Sequence, residues 1–355
     1  MIRLAKPWIG EDERRAVTAV LESGQLVQGA NVERFEQAVA ALLGRHHAVA
    51  TSSGTSALQL ALRALQVGAG DEVLCPALSW PSPAHAIRVS GAKVRFVDVD
   101  QNEWNSTEEA FRTGRSGETR AAIVIDQFGN PARAQEIREA LGSLPIIEDA
   151  ACAIGSQFAS GPCGSLGAIS CLSFHPRKIL TTGEGGMCLT DDDDLADKLR
   201  MLRNHGQLGG AFVIASGNSR MTEMAAAMGL VQLQRLDEIV GRRRELAALY
   251  TAALEGVVEM QATPAGGESN YQTFGVILPQ GFARDAVRER LAERQVEAGL
   301  LSFAIHKIGS FTGVDASLPI TEHAAKRGIA LPLYPQMRNA EVEEVAKTLR
   351  EVLNE

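Results

Sequence analysis

The 355-residue chain has few lysines, few cysteines and no long apolar run. No stretch reaches the roughly 18 apolar residues that a membrane-crossing helix needs, and residues 1–7 lack the apolar core of a signal peptide. The five cysteines are an odd number without a Cys-x-x-Cys pair, which fits neither a disulfide framework nor a zinc site. These absences predict a cytoplasmic protein with reduced thiols and no metal site.

Basic residues are outnumbered by acidic ones, with 35 Lys and Arg against 43 Asp and Glu, which gives a net charge of −8. This balance argues against a nucleic-acid partner, which usually requires a basic face. Hydrophobic residues make up 45% of the chain and recur throughout, so we expect a folded protein of about two domains rather than a disordered one. Because lysine occurs only seven times, a lysine in an unusual setting is easy to recognise.

Short β-rich runs alternate with amphipathic stretches over the first 200 residues. Strands are predicted over residues 47–51, 72–75, 94–97, 121–125, 144–147, 168–174 and 186–189, with helices over 12–23 and 35–43. The alternation predicts a mostly parallel sheet covered on both faces. Residues 221–256 are predicted to form a helical arm, followed by a smaller α+β unit with a strand over 271–278 and helices over 283–294 and 340–353. The run 242–244, three arginines, is predicted to be a solvated helix face.

Three polar clusters follow predicted strands, where parallel sheets bind their ligands. Residues 52–56, Ser-Ser-Gly-Thr-Ser, suit a phosphate and are also typical of an ordinary N-capped helix. Glu148 and Asp149 end a strand, where acids serve as caps, metal ligands or catalytic groups. Lys178 lies near other cations just after a strand, a setting that suits Schiff-base chemistry.

A phosphate cradle, a carboxylate and a lysine, in that order, form the set that holds pyridoxal phosphate. Lys178 would form the imine and Asp149 would pair with the protonated pyridine nitrogen. An aromatic side chain over the ring would complete the site. Trp80 follows a strand and suits that position, although a core tryptophan is the alternative.

Seven sequence motifs, spread along most of the chain, extend this pattern. They are Pro7-Trp8-Ile9-Gly10-Glu11, Ser53-Gly54-Thr55-Ser56-Ala57-Leu58, Glu148-Asp149-Ala150-Ala151, Ser173-Phe174-His175-Pro176-Arg177-Lys178, Thr181-Thr182-Gly183-Glu184-Gly185-Gly186-Met187, Asn218-Ser219-Arg220-Met221 and Leu331-Pro332-Leu333-Tyr334-Pro335. In this order and spacing the chain resembles, over nearly its whole length, the DegT/DnrJ/StrS family of sugar aminotransferases, among the fold-type I pyridoxal-phosphate enzymes. The resemblance implies a seven-stranded, mostly parallel sheet flanked by helices. It also implies a large cofactor domain, 1–240, and a small C-terminal α+β domain, 241–355.

The resemblance also implies residue roles and an activity. Lys178 matches the Schiff-base lysine and Asp149 the pyridine-nitrogen partner. The other implied cofactor contacts are Gly54, Thr55, Trp80, Ser173 and, from the neighbouring subunit of a homodimer, Asn218. The implied reaction is a ping-pong transamination through pyridoxamine phosphate. The donor would be glutamate and the acceptor a nucleotide-linked keto-sugar, in amino-sugar biosynthesis for a surface polysaccharide or natural product. No nucleic acid or membrane takes part.

Two departures from the family pattern lie near the expected pocket. Cys152 stands where the family usually has Gln or His, and Asp126 opens a segment that is frequently His-Leu-Phe-Gly, which indicates an atypical substrate. His306 and Lys307 fall where the family often places substrate contacts, or form a surface pair. Two alternative functions stay open: a non-catalytic regulator with the same fold, and sulfur transfer, which requires a mobile nucleophilic cysteine.

Overall fold

The computed structural model describes residues 1–159, 161–311, 313–314 and 316–355. Its helices are α1 (Glu11–Ser23), α2 (Ala30–Leu43), α3 (Gly54–Ala64), α4 (Ser82–Ser90), α5 (Glu108–Gly114), α6 (Ala134–Leu141), α7 (Asp193–Arg203), α8 (Glu223–Leu233), α9 (Leu236–Leu254), α10 (Arg284–Glu293), α11 (Pro319–Arg327) and α12 (Asn339–Asn354). Its strands are β1 (His47–Thr51), β2 (Glu72–Pro76), β3 (Leu78–Ser79), β4 (Lys93–Val97), β5 (Thr119–Ile125), β6 (Ile146–Asp149), β7 (Gln157–Phe158), β8 (Gly161–Pro162), β9 (Ile169–Ser173), β10 (Gly186–Thr190), β11 (Gln207–Leu208), β12 (Ala211–Phe212), β13 (Glu259–Met260), β14 (Phe274–Ile277), β15 (Gly299–Leu300), β16 (Phe303–Ala304) and β17 (Gly328–Leu331).

A seven-stranded sheet forms the centre of the molecule, in the order β1-β10-β9-β6-β5-β2-β4. β10 runs antiparallel to both neighbours, and the remaining pairs are parallel. The mostly parallel sheet predicted from the sequence is therefore confirmed. Each of the seven predicted strands lies in this sheet. A strand buried on both faces, such as β10, is apolar at most of its positions, which made the inner strands recognisable.

Helices cover both faces of this sheet. Consecutive residues of a strand point to opposite faces, so Ile123 and Val124 of β5 belong to different cores. Ile123 packs with residues of α3, α4 and α7, and Val124 packs with residues of α5 and α6. A third core, around Phe35 and Phe174, joins α2 to β9 and α9. In the described part of the chain, no helix is long and apolar enough to span a membrane.

A second sheet lies in the C-terminal part, with the antiparallel order β13-β14-β17-β15. Val276 of this sheet shares a core with Tyr250 of α9 and Leu349 of α12. The predicted division after residue 240 falls inside α9, and β16 pairs back with β3 in the first half of the chain. The division into 1–240 and 241–355 stays a prediction.

Two local predictions need correction. The helical stretch predicted over 221–256 is two helices, because α8 ends at Leu233 and α9 begins at Leu236. The strand predicted from Tyr271 begins only at Phe274, since Tyr271 has a φ of 50°, a left-handed conformation that a strand does not contain.

The run of three arginines is not a solvated face, so this prediction was wrong. Arg243 is 6% exposed, and its guanidinium donates to the carbonyl oxygens of Tyr271 (3.0 Å) and Gln272 (2.6 Å). Arg244 donates to the carbonyl of Ser269 at 2.9 Å. Irregular backbone has carbonyls without ladder partners, and α9 supplies donors to those of the 269–272 segment.

Candidate active site

The predicted site residues meet where the parallel strands end. β6 and β9 are parallel neighbours that finish at Asp149 and Ser173. β1 has the same direction, and Gly54 begins α3 just after it. Because the carboxyl ends of parallel strands share one edge of a sheet, Gly54, Asp149 and Ser173 come together there.

The start of α3 forms a close-fitting cradle. Ser53 caps the helix, its Oγ accepting from the Ser56 N–H at 3.1 Å. A Cβ built on Gly54 would lie 2.8 Å from Ser173 Cβ, so only glycine allows α3 to approach β9 this closely. The Thr55 hydroxyl lies 2.9 Å from the Ser82 hydroxyl. A helix N-terminus lined with hydroxyls suits a phosphate group, because its partial positive charge attracts anions.

Asp149 is a buried carboxyl group at the same edge. Burial raises its pKa and the neighbouring Glu148 adds to this, whereas Lys178 and the Ala151 N–H act in the opposite direction. The Ala151 N–H donates to Asp149 Oδ1 at 3.2 Å. Burial disfavours the charged form of a carboxyl group, and a nearby cation favours it. The site therefore suits a protonated ring nitrogen placed against Asp149.

Lys178 follows β9 and is half-buried. Its ammonium Nζ donates to Cys152 Sγ at 3.0 Å, and its charge acts on Asp149. The segment that carries it folds back on the strand, with Thr182 N donating to the Phe174 carbonyl at 3.0 Å. The structure therefore brings Lys178 and Asp149 together, as the sequence predicted.

The other two predicted contacts lie at the surface. Trp80 is 64% exposed, so it is not a core tryptophan. Its ring and that of Phe303 have centroids 5.5 Å apart and are nearly perpendicular. Asn218 is exposed on the segment after β12, where its Oδ1 accepts from the Arg220 N–H at 3.1 Å. The role of each toward a cofactor stays a prediction.

Comparison with known proteins agrees with this geometry. Residues 7–350 match the model of the DegT/DnrJ/EryC1/StrS aminotransferase family. The chain belongs to this family. It is similar to the aminotransferase TlmJ from Streptoalloteichus hindustanus, with 34% identity and a TM-score of 0.95 over 100% of this chain and 99% of that one. It is also similar to S. venezuelae DesV, with 31% identity and a TM-score of 0.92 over 97% and 94% of the two chains.

A third relative has lower sequence identity and the same fold. Helicobacter pylori PseC, an aminotransferase involved in pseudoaminic acid biosynthesis, is 25% identical with a TM-score of 0.94, over 99% of both chains. Membership of the family confirms the predicted fold-type I architecture and the predicted activity, that of a pyridoxal-phosphate-dependent sugar aminotransferase. The non-catalytic alternative is set aside. The cradle against Ser173, the buried Asp149 and the adjacent Lys178 fit this cofactor.

Four of the enzyme's five cysteines are buried, and Cys152 alone is partly exposed. Sulfur transfer requires a mobile cysteine, whereas Cys152 is held between β6 and β7 and contacts Lys178. Its backbone carbonyl accepts from the Asn270 side chain at 2.9 Å. The sequence identified Cys152 as a departure from the family pattern but did not predict its contact with the lysine.

Asp126, the second departure, belongs to a buried group behind the site. Oxygens of Asp126 and Glu148 and the sulfur of Cys163 lie within 4.8 Å of one another. The Glu148 carboxylate accepts from four donors, the N–H groups of Gly164, Leu166 and Gly167 and the hydroxyl of Ser170. Its oxygens are thus engaged by protein donors, and we interpret the group as a pair of acids that share a proton rather than as a metal site.

We interpret Asp126 as the member of this pair that carries the proton. Burial and the charge of Glu148 raise the pKa of Asp126 well above its usual range. Its Oδ1 accepts from the Ala132 N–H at 2.8 Å, and its carboxyl group lies beside the carboxylate of Glu148 and the thiol of Cys163. A proton on Oδ2 turns that atom into a donor, which removes the repulsion between two buried carboxylates.

His306 and Lys307, which the resemblance associates with substrate, both contact α11. His306 is 2% exposed, so it is not part of a surface pair, and its Nε2 lies 3.1 Å from Glu322 Oε1. The ammonium of Lys307 lies 3.3 Å from the same oxygen. The pair ties the turn after β16 to α11.

Proposed function

We propose that the enzyme transfers an amino group from glutamate to a nucleotide-linked keto-sugar, in amino-sugar biosynthesis for a surface polysaccharide or natural product. The observation that carries the proposal is the position of Lys178, whose charge acts on the buried Asp149. The Gly54 cradle lies at the same edge of the sheet. Transamination requires a cofactor ring that acts as an electron sink, a residue that anchors it and a site for its phosphate.

Each side chain has a distinct role in this proposal. Pyridoxal phosphate, when bound, supplies a carbonyl that accepts the amino group and a ring that withdraws electrons. Lys178 anchors it covalently. The free amine of Lys178 would move a proton between the donor's α-carbon and the C4′ position. Asp149 keeps the ring nitrogen protonated. Gly54, Thr55 and Ser173 bind the phosphate, and Trp80 covers the ring.

We propose further that the enzyme works as a homodimer with shared sites. The hairpin of β11 and β12 and the residues after it expose four large apolar side chains, between 46% and 72% of their surface: Leu208, Phe212, Val213 and Ile214. Contiguous exposed apolar surface often marks a protein–protein contact. Asn218 follows this surface in the chain, and we propose that it reaches the cofactor of the second copy.

The remaining proposals concern organisation and compartment. Residues 1–240 form the cofactor domain and residues 241–355 the smaller domain, with α9 running across the division. The five cysteines are free, which suits the reducing cytoplasm.

Titration with pyridoxal phosphate tests the anchor. The wild-type protein is expected to develop the visible absorbance band of the lysine-bound cofactor, and Lys178→Ala is expected to lose it. Lys347→Ala is the matched control, because Lys347 is exposed on α12 and pairs only locally with Glu351. A band that persists in Lys178→Ala would refute the anchor role.

Mixing two inactive variants tests the shared site. In an equal mixture of Asn218→Ala and Lys178→Ala chains, half of the dimers are mixed and each has one intact site. Activity is therefore expected to return to about a quarter of the wild-type level. Each variant incubated alone is the control, and a mixture without recovered activity would contradict a site built from two chains.

A further inference from the structure

A cysteine and a lysine from neighbouring segments bring two reactive atoms together at the edge of the central sheet. The ammonium Nζ of Lys178 lies 3.0 Å from the Sγ of Cys152, to which it donates a hydrogen bond. Both residues are partly exposed, so a small solute can reach them. A thiolate and an amine are both nucleophiles. They can therefore join only after one of them has been oxidised.

The fold holds this pair in place. β6 and β9 are parallel neighbours, and the segments that carry Cys152 and Lys178 follow their carboxyl ends. The Asn270 side chain donates to the Cys152 carbonyl at 2.9 Å, and the Lys178 N–H donates to the His175 carbonyl at 2.8 Å. The contact thus depends on anchored backbone, while the flexible four-carbon stem of lysine allows the two atoms to move closer.

The other four cysteines differ from Cys152 because they are buried. Burial raises the pKa of Cys75, Cys163 and Cys171, which keeps them as thiols at neutral pH. The fourth, Cys188, has a thiol that donates to a backbone carbonyl at 3.3 Å. Peroxides react with accessible thiolates. Oxidation is therefore expected to begin at Cys152.

We propose that Cys152 is an oxidation site whose oxidised sulfur forms a covalent bond with Lys178, and that the oxidant is hydrogen peroxide. First, the Cys152 sulfur attacks one peroxide oxygen and the O–O bond breaks. The second oxygen leaves as water with the thiol proton, and the two-electron oxidation yields a sulfenic acid. Next, the neutral Lys178 amine attacks the sulfur and the S–O bond breaks. The hydroxyl group leaves as water with one proton of the amine, so the two side chains together lose two hydrogen atoms.

The resulting S–N bond is reversible and competes with the cofactor. A thiol reductant attacks the sulfur, the S–N bond breaks and the nitrogen takes up the thiol proton. A second thiol then releases Cys152 from the mixed disulfide. The cross-link itself rests on the contact between Cys152 and Lys178. Its competition with the cofactor rests on the proposed function, since the cross-link occupies the nitrogen that would anchor pyridoxal phosphate.

Mass spectrometry of proteolytic peptides, after peroxide treatment of the cofactor-free protein, tests the cross-link. Wild type is expected to yield one peptide that joins the two segments and is about 2 Da lighter than their sum. Dithiothreitol is expected to separate it. Lys178→Ala is expected to yield no joined peptide and a Cys152 peptide about 16 or 32 Da heavier, because its sulfenic acid has no amine to condense with. Lys347→Ala, altered at an exposed lysine of α12, is the matched control and is expected to behave as wild type.

Cys152→Ser is the second variant and is expected to yield no joined peptide. A wild type without the joined peptide would overturn the proposal, and so would a joined peptide that persists in Cys152→Ser. Cys171 and Cys188 face each other across β9 and β10. A loss of two hydrogens found only in their peptides would be a disulfide and would overturn the assignment. A joined peptide about 14 Da heavier than the sum would contain a bridging oxygen and would overturn the direct S–N bond.

The cofactor separates failure of this inference from failure of the proposed function. Pyridoxal phosphate added before peroxide is expected to slow the formation of the joined peptide. Prior oxidation is expected to prevent the visible band until a thiol reductant has been added and removed. A joined peptide that forms equally fast in the loaded protein would refute Lys178 as the anchor and leave the cross-link in place. A normal visible band without any joined peptide would refute the cross-link and leave the proposed function in place.

Discussion

The buried acid pair makes a quantitative prediction about stability. The pKa of Asp126 is raised well above its usual range by burial and by Glu148. Between the unfolded-state pKa, about 3.9, and the folded-state pKa, the folded chain therefore holds one more proton than the unfolded chain. The stabilisation that this proton provides is greatest below the unfolded-state pKa and is lost as the pH rises towards the folded-state pKa. The loss amounts to about 1.4 kcal/mol per pH unit.

Asp126→Asn removes that dependence and preserves the shape of the side chain. Its amide oxygen accepts from Ala132, as Oδ1 does now, and its amide nitrogen supplies a permanent donor in place of the proton. Urea unfolding of the cofactor-free protein at pH 5 and pH 6, at one protein concentration, measures the effect. We expect wild type to lose more stability than Asp126→Asn over this step, up to about 1.4 kcal/mol.

A second buried carboxylate provides the control. Burial alone would raise the pKa of Glu223, but hydrogen bonds from Val32, Asn31 and Gly29 together outweigh this effect, so its pKa is lowered. Glu223 is therefore ionised in both states above its unfolded-state pKa, and Glu223→Gln is expected to change the free energy of unfolding by a nearly constant amount from pH 5 to pH 6. Equal pH slopes for wild type and Asp126→Asn would refute a protonated Asp126.

Three further predictions follow from the site. Gly54→Ala places a Cβ 2.8 Å from Ser173 Cβ, and fluorescence titration should show about tenfold weaker binding of pyridoxal phosphate; unchanged binding would contradict the cradle. In the native protein, Ellman's reagent should modify one thiol per chain, that of Cys152, because the other four cysteines are buried. Cys152→Ser should show no reactive thiol, and bound cofactor should slow the reaction of the wild type. Asp149→Asn should keep the visible band but lose most turnover, since its amide cannot stabilise a protonated ring nitrogen; wild-type turnover would exclude the assigned role.

The central sheet was predictable because its signal is local. Strand β5, for example, contains the continuous apolar run 121–125. The pairing of short strands that lie far apart in the sequence was not predictable. β16 is two residues long and its partner β3 lies more than 200 residues earlier in the chain, so no periodic pattern marks the pair.

For the candidate site, too, local features could be predicted from the sequence and contacts between distant segments could not. Asp149 and Lys178 could be identified from the sequence, because their chemistry and their positions after strands are local features, and their order matches a known set. The environment of Arg243 could not be identified. In the sequence it is the middle of three arginines that are indistinguishable by composition, and only the packing of α9 against the 269–272 segment buries one of them.

The architecture and the cofactor of this enzyme could be predicted from the sequence, and Lys178 could be indicated as the candidate anchor, since these inferences depend on hydrophobic periodicity and on motifs of adjacent residues. The tertiary structure, by contrast, sets which polar groups of the described residues are buried and which groups they contact. Asp126 and Arg243 acquire their properties from Glu148, 22 residues away along the chain, and from carbonyls on another segment. Burial and pairing depend on contacts across the fold, and a linear pattern does not contain them.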